Sequence, residues 1–164
     1  VEAINQNEGT VDSLVVHRNG TYGNEEIAGI QSAVDSLKEE GYIDDDFSWS
    51  AVELRDSTSY RIYSDDTDCA CRTGAFAEVD ESTMVLAPSG GEYTYQGTPR
   101  TFRIQERAGT EDIDITEIGR DVFDLSFLVW WSPGSKISDP ITTRYPAEMH
   151  SLFESCPQVR FLPS

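Results

Sequence analysis

Apolar positions change their period along the chain. Leu14, Val15 and Val16 form a short run that turns polar at His17, Arg18, Asn19 and Gly20, as a buried strand does where it meets a turn. Ile27, Ile30, Val34 and Leu37 then follow a helical period, predicting a helix over "NEEIAGIQSAVDSLKEEG". Asn24 is the expected cap of that helix, Glu25 and Glu26 suit its first turn, and Gly41 ends it. "SWSAVELR" and "SYRIYS" read as strands joined by "DSTS". "GAFAEVD" and "TMVLAPSG" read as a hairpin or a pair of edge strands, and "TPRTFRIQER" as a long strand with proline tolerated near its start. "DITEIGRDVFDLSFLVWW" has the pattern of a second helix, capped by Asp114 and burying Ile118, Val122, Phe123, Leu125 and Leu128. Asp139-Pro140 begins another helix after a Gly/Ser/Pro loop. The predicted order is β-α-β-β-β-β-β-α-α after an irregular polar start over residues 1 to 10. That is an α/β pattern with a mixed sheet and no internal repeat.

Composition bounds the size and the surface. The 164 residues suffice for one core of ordinary size, and no low-complexity stretch divides them. Despite a formal charge of -18, hydrophobic residues at 38% leave enough apolar material to fold. The acid is dispersed through "EEGYIDDD", "SDDTDC", "EVDES" and "TEDIDITE", and Lys38 and Lys136 are the only lysines. Such a surface repels itself unless salt screens it, which fits a halophile; an ordinary acidic protein is the rival, and salt-dependent folding separates them. Acidity normally argues against nucleic-acid binding, which uses Lys and Arg to neutralise phosphates. That argument weakens if the acid is a salt adaptation, since a few placed arginines then suffice to define a channel.

The cysteines Cys69, Cys71 and Cys156 make no disulfide framework, and "CAC" with only His17 and His150 is a poor zinc site. With no leader sequence, a cytoplasmic chain is the simplest expectation. The longest apolar run, "VFDLSFLVWW", is about half the roughly 20 residues that span a bilayer. Asn19 draws attention because ligands of open α/β sheets gather at the carboxyl ends of strands. It is a working residue, a turn residue, or the remnant of a catalytic acid.

In order, "VVHRNG", "NEEI", "AVELR", "SYRIY", "GTPRTFRIQ", "DVFDLSFLVWWSPGSK" and "DPITTRYPAEMH" resemble the C-terminal half of the PIWI domain of Argonaute proteins. The similarity looks closest to haloarchaeal long prokaryotic Argonautes and covers nearly the whole chain. It implies one domain over residues 1 to 164, an RNase H-like fold incomplete at its N-terminus, holding a guide strand paired with a target. Active members use acidic or acidic-plus-histidine side chains to hold two divalent ions for phosphoryl hydrolysis, because hard cations need carboxylate oxygens.

At the positions that match, this sequence departs from that set. The family's "RDG" aspartate falls on Asn19, whose amide offers one neutral oxygen. The C-terminal acid or histidine falls on Ala147, with Glu148 one residue later and about 100° around a helix. The remaining family acids have no counterpart in this sequence. The resemblance therefore implies binding without cutting, and a magnesium or manganese pair only if an intact site is completed elsewhere. Carried over position by position, the strand-gripping candidates are Arg61, Arg100, Ser138, Arg144 and Tyr145, with Arg55 and Lys136 nearby.

Other readings stand beside these. Arg55, Arg107 and Arg120 on an acidic protein are expected to pair with carboxylates. Trp49, Trp130 and Trp131 suit packing better than base stacking. The expected partners are guide and target nucleic acid and the missing MID and N-terminal PIWI half, and no membrane. The alternatives in function are a fragment of an active guide-dependent endonuclease and a degenerate protein-interaction scaffold.

Overall fold

A computed structural model describes residues 11–56, 58–65, 71–89, 101–110, 114–128 and 139–155. Five strands and three helices are present among them. They run β1 (Ser13–Asn19), α1 (Asn24–Glu39), β2 (Ser48–Arg55), β3 (Ala75–Asp80), β4 (Thr83–Ala87), β5 (Phe102–Gly109), α2 (Ile115–Phe127) and α3 (Ile141–Ser155). The sheet order is β1-β2-β5-β4-β3. β1 and β2 are parallel, as a strand-helix-strand crossover requires, and every other pairing is antiparallel.

Both faces of β2 are buried, so its residues read as a nearly continuous buried run. Val52 and Leu54 join Met84, Leu86, Phe102 and Ile104 under Ile115, Ile118 and Val122 of α2. Trp49 and Ala51 face the other way, with Val34 of α1 and with Tyr22, Ile43 and Phe47. Trp49 is 3% exposed, which makes it a packing residue as its sequence setting indicated.

The helix ends follow local chemistry. Gly23, not Asn24, is the cap residue of α1, and Glu26 reaches back to accept the Gly23 N–H at 2.7 Å. The reason is that Glu26 at the third helical position satisfies an end donor itself, so no side chain at residue 24 is needed. At the other end Gly41 N–H donates to Lys38 O and Tyr42 N–H to Leu37 O, a Schellman closure. Asp114 caps α2 by accepting from the Thr116 N–H at 2.8 Å, as expected. α3 starts directly after the buried Pro140 and continues through Pro146.

"SYRIYS" is not a strand. Residues 58–65 are irregular apart from a bridge at Tyr63, and Tyr60 O accepts from Thr101 Oγ1 at 2.8 Å. Alternating apolar residues there suggested a strand, but local hydrogen bonding around Thr58 and Arg61 competes for the backbone. The observed order therefore has one strand fewer than predicted among the described residues.

Candidate nucleic-acid interface

The end of β1 is a divided site. Alternation sends Val15 and His17 toward the α2 and α3 side of the sheet and Val16 toward the α1 side. Asn19 ends the strand opposite Leu54 and is exposed. Gly20 follows at φ 106°, a conformation open to glycine, and donates its N–H to Leu54 O at 3.2 Å.

On the α3 side, His17 Nδ1 is hydrogen-bonded to Thr142 Oγ1 at 2.9 Å. His17 Nε2 is buried and has no partner among the described residues. Burial pushes the imidazole pKa below its usual value, and the Asp121 carboxylate only partly opposes this. This bond ties the strand end to the first turn of α3, where Ala147 lies further along as an exposed residue. Glu148 does not replace it: its carboxylate takes the Arg144 Nε–H at 2.9 Å, one turn away on the same helix.

The donors at these two positions decide whether the implied pair of divalent ions fits here. An amide at Asn19 and a methyl at Ala147 do not fit hard cations, which need several anionic oxygens. Among the described residues no group of three or more His, Cys, Asp or Glu side chains converges to hold a metal ion. Cys71 is a buried thiol whose pKa burial pushes up, the opposite of a reactive thiolate. Cys69 and Cys156 lie outside the described residues.

On the α1 side, the centre is Glu53, 1% exposed in β2. Its carboxylate accepts the Tyr22 N–H at 2.9 Å and Arg55 Nη2 at 3.1 Å, and forms an ion pair with Arg107, whose Nε lies 3.2 Å away. Arg107 reaches it because the pairing of β2 with β5 slips between Ala51 and Val52. Ala51 faces Ala108 and Val52 faces Glu106, leaving Arg107 as the extra residue of a bulge. Arg55 also donates to Thr21 Oγ1. Arg18 pairs with Glu26 and lies over the Tyr22 ring, 5.5 Å from its centroid.

The carried-over residues are thus only partly gathered. Arg55 belongs to the Glu53 cluster, and Arg107 pairs there as expected, whereas Arg120 has no ion-pair partner among the described residues. Arg61 is in the irregular stretch, its guanidinium donating to Thr58 O and Tyr60 O. Arg144 is committed to Glu148, and Tyr145 is 54% exposed beside it. Arg100, Lys136, Ser138, Trp130 and Trp131 lie outside the described residues.

Sequence reasoning missed Arg103, which stands directly across from Arg55. Like charges opposite each other in a sheet repel, which for Arg55 is offset by its ion pair with Glu53, and the Nε of each is buried without a partner among the described residues. The signal was available: Phe102 and Ile104 alternate with Arg103 and Gln105, so burial of the first pair turns the second to the opposite face.

No family profile matches the chain, and no characterised protein sequence does. Solved structures do. Clostridium butyricum Argonaute bound to a guide DNA and a 19-mer target DNA superposes with a TM-score of 0.69 at 17% identity, over 96% of this chain and 19% of its own. Marinitoga piezophila Argonaute in complex with 5′ OH guide RNA and target DNA gives 0.58 at 16% identity, over 86% of this chain and 19% of its own. The five-stranded mixed sheet and its flanking helices are therefore the fold of a part of Argonaute proteins, with this chain spanning about a fifth of their length.

Proposed function

We propose that this chain, taken as one domain over residues 1 to 164, is the C-terminal portion of a PIWI domain that helps hold a guide strand against its target and does not cut. The observation that carries the reading is the chemistry at two positions of an Argonaute-type fold: an amide at the end of β1 and a methyl on α3, where the family resemblance implies metal-holding groups. Both Argonautes above were solved with guide and target strands, which supports binding as the retained role.

Arg55, Arg61, Arg100, Lys136, Ser138, Arg144 and Tyr145 grip the backbone in this reading, joined by Arg103. Arginine suits it, because its planar fork matches phosphate geometry and keeps donors free after one is used within the protein. A formal net charge of -18 then serves solubility in a salt-rich cytoplasm, in keeping with a haloarchaeal source, and leaves recognition to the placed arginines.

The other half of the domain is the expected partner. β1 is a parallel strand at the sheet edge with Leu14 42% exposed, and Tyr145 and Leu152 of α3 are exposed as well. Parallel strands are normally covered on both sides, so this edge is where further PIWI strands would join.

Binding of a short 5′-phosphorylated strand in potassium chloride tests the reading. Arg100→Ala and Arg144→Ala should each weaken it for every sequence alike and lower the salt slope by about one unit. Absence of binding, or binding indifferent to both changes, would reject the assignment. With magnesium or manganese and a guide-target duplex, cleavage at a single phosphate would reject the inactive reading.

A further inference from the structure

The sheet's other edge carries a feature that the nucleic-acid reading does not use. β3 lies at the end opposite β1, and no strand pairs with its outer side among the described residues. From Phe76 to Asp80 every residue is exposed, on both faces of the strand. Phe76 is 52% exposed, an unusual position for a phenylalanine next to a fully buried partner strand.

Beside Phe76 a cavity of about 320 Å³ opens between the β3–β4 hairpin and α2. Met84, Leu86 and Gly119 are at its base, Phe76 and Phe123 line it, and Thr116, Arg120 and Asp124 add polar groups. Its volume lies at the small end of ligand pockets, enough for one large side chain. The strand is fixed to the helix at one end by the Thr116 hydroxyl, which donates to Glu78 Oε1 at 3.0 Å. Phe127 and Leu128 extend the exposed apolar surface beyond the end of α2.

Charge selects among possible occupants. Glu78, Asp80 and Glu81 lie along the open edge and its turn, and Asp124 at the cavity, against Arg120 at the cavity and Arg72 ahead of the strand, so acids outnumber cations two to one. A second copy of this chain would bring acids against acids, which is how natural edges resist pairing with themselves. A segment carrying Lys or Arg at alternate positions meets no such barrier.

The geometry points to a peptide-docking site. An extended basic segment of a partner protein adds a strand to the outer edge of β3 and places one apolar side chain in the cavity beside Phe76. Main-chain bonds to the edge provide affinity, and the cavity provides side-chain choice. Because β1 and β3 bound opposite ends of the sheet, this site stays open whether or not the β1 edge is covered, and it does not depend on the nucleic-acid reading.

Fluorescence anisotropy with the whole protein tests it, using a blocked octapeptide that alternates Lys and Val around one central Phe. We expect micromolar binding at low salt. Replacing the peptide's Phe by Ala should weaken it at least tenfold, as should Glu78→Lys and Phe76→Ser in the protein. Glu39→Lys, an equal charge change on α1 over the other face of the sheet, should leave it within twofold. Equal losses at Glu78 and Glu39, or indifference to the peptide's Phe, would show unspecific charge attraction and overturn the site. So would no binding up to about 1 mM peptide, or self-association through this edge in sedimentation. The peptide substitution is read on the unaltered protein, so the test survives a variant that fails to fold.

Discussion

Removing the Glu53 carboxylate is the most informative single perturbation of this sheet. Two donors and one further ion pair depend on it: the Tyr22 N–H at 2.9 Å and Arg55 at 3.1 Å donate to it, and Arg107 pairs with it at 3.2 Å. Leucine at this position would leave the Tyr22 N–H without its acceptor, which costs about 1–3 kcal/mol for a buried donor. The Arg55 and Arg107 side chains are 34% and 40% exposed, so water replaces much of what they lose. Each of those ion pairs contributes only about 0.5 kcal/mol after that screening. The expected total for Glu53→Leu is roughly 2–4 kcal/mol. Glutamine keeps an oxygen for the Tyr22 N–H and loses only charge, so Glu53→Gln should cost about 1 kcal/mol. For a chain of this size each kcal/mol lowers Tm by roughly 2–4 °C, which places the leucine variant several degrees below the glutamine variant. Thermal unfolding followed by circular dichroism at one fixed potassium chloride concentration measures both. A leucine variant as stable as the wild type would show that the carboxylate's desolvation cancels its bonds. Equal losses for leucine and glutamine would show that charge, and not the Tyr22 donor, is what Glu53 satisfies.

Other outcomes follow from neighbouring features. Burial holds the His17 pKa below its usual value, so the unfolded chain takes up a proton at about pH 6.5 while the folded protein resists it. Stability should therefore be indifferent to His17 above that pH and fall as pH drops from about 6.5 toward the lower folded pKa. A His17→Gln variant should flatten this part of a denaturation-versus-pH curve, and an unchanged slope would remove His17 from the account. A Cβ at Gly109 would lie 2.6 Å from the Trp49 carbonyl oxygen, which is backbone and already accepts from Thr110 N–H. Gly109→Ala should thus cost about 1–3 kcal/mol in denaturant unfolding. Asn19→Asp alone should give no cleavage of a guide-target duplex, because Ala147 still offers no ligand.

Much of the architecture was legible from periodicity. β1, α1, β2 and α2 each carry an apolar run or stripe of the right period; the first three formed close to their expected bounds, while α2 ends at Phe127, and Leu128, expected on its buried side, is 54% exposed. "SYRIYS" has an equally suggestive alternation, yet among the described residues it forms only an isolated bridge at Tyr63, and strand formation is a property of pairing as much as of the residues themselves. Similarly, Asn24 has the residue type of a cap, but the reciprocal reach of Glu26 to Gly23 decided the first turn of α1. The site was harder to read. The amide at Asn19 and the methyl at Ala147 are visible as residue types. The convergence on Glu53 depends on a one-residue bulge that aims Arg107, and no local pattern announces a bulge.

β2 is bracketed by partners from distant parts of the chain: β1 joins it across the α1 crossover, while β5 returns to it from beyond the β3–β4 hairpin. Its amide protons should therefore exchange with solvent last, since releasing them requires both neighbours to separate. Those of β3 should exchange early, and the hairpin they belong to closes over a short loop while β2 must wait for two long ones. The sheet is in this sense assembled from its β3 margin inward, with the inner strand β2 the last to be secured.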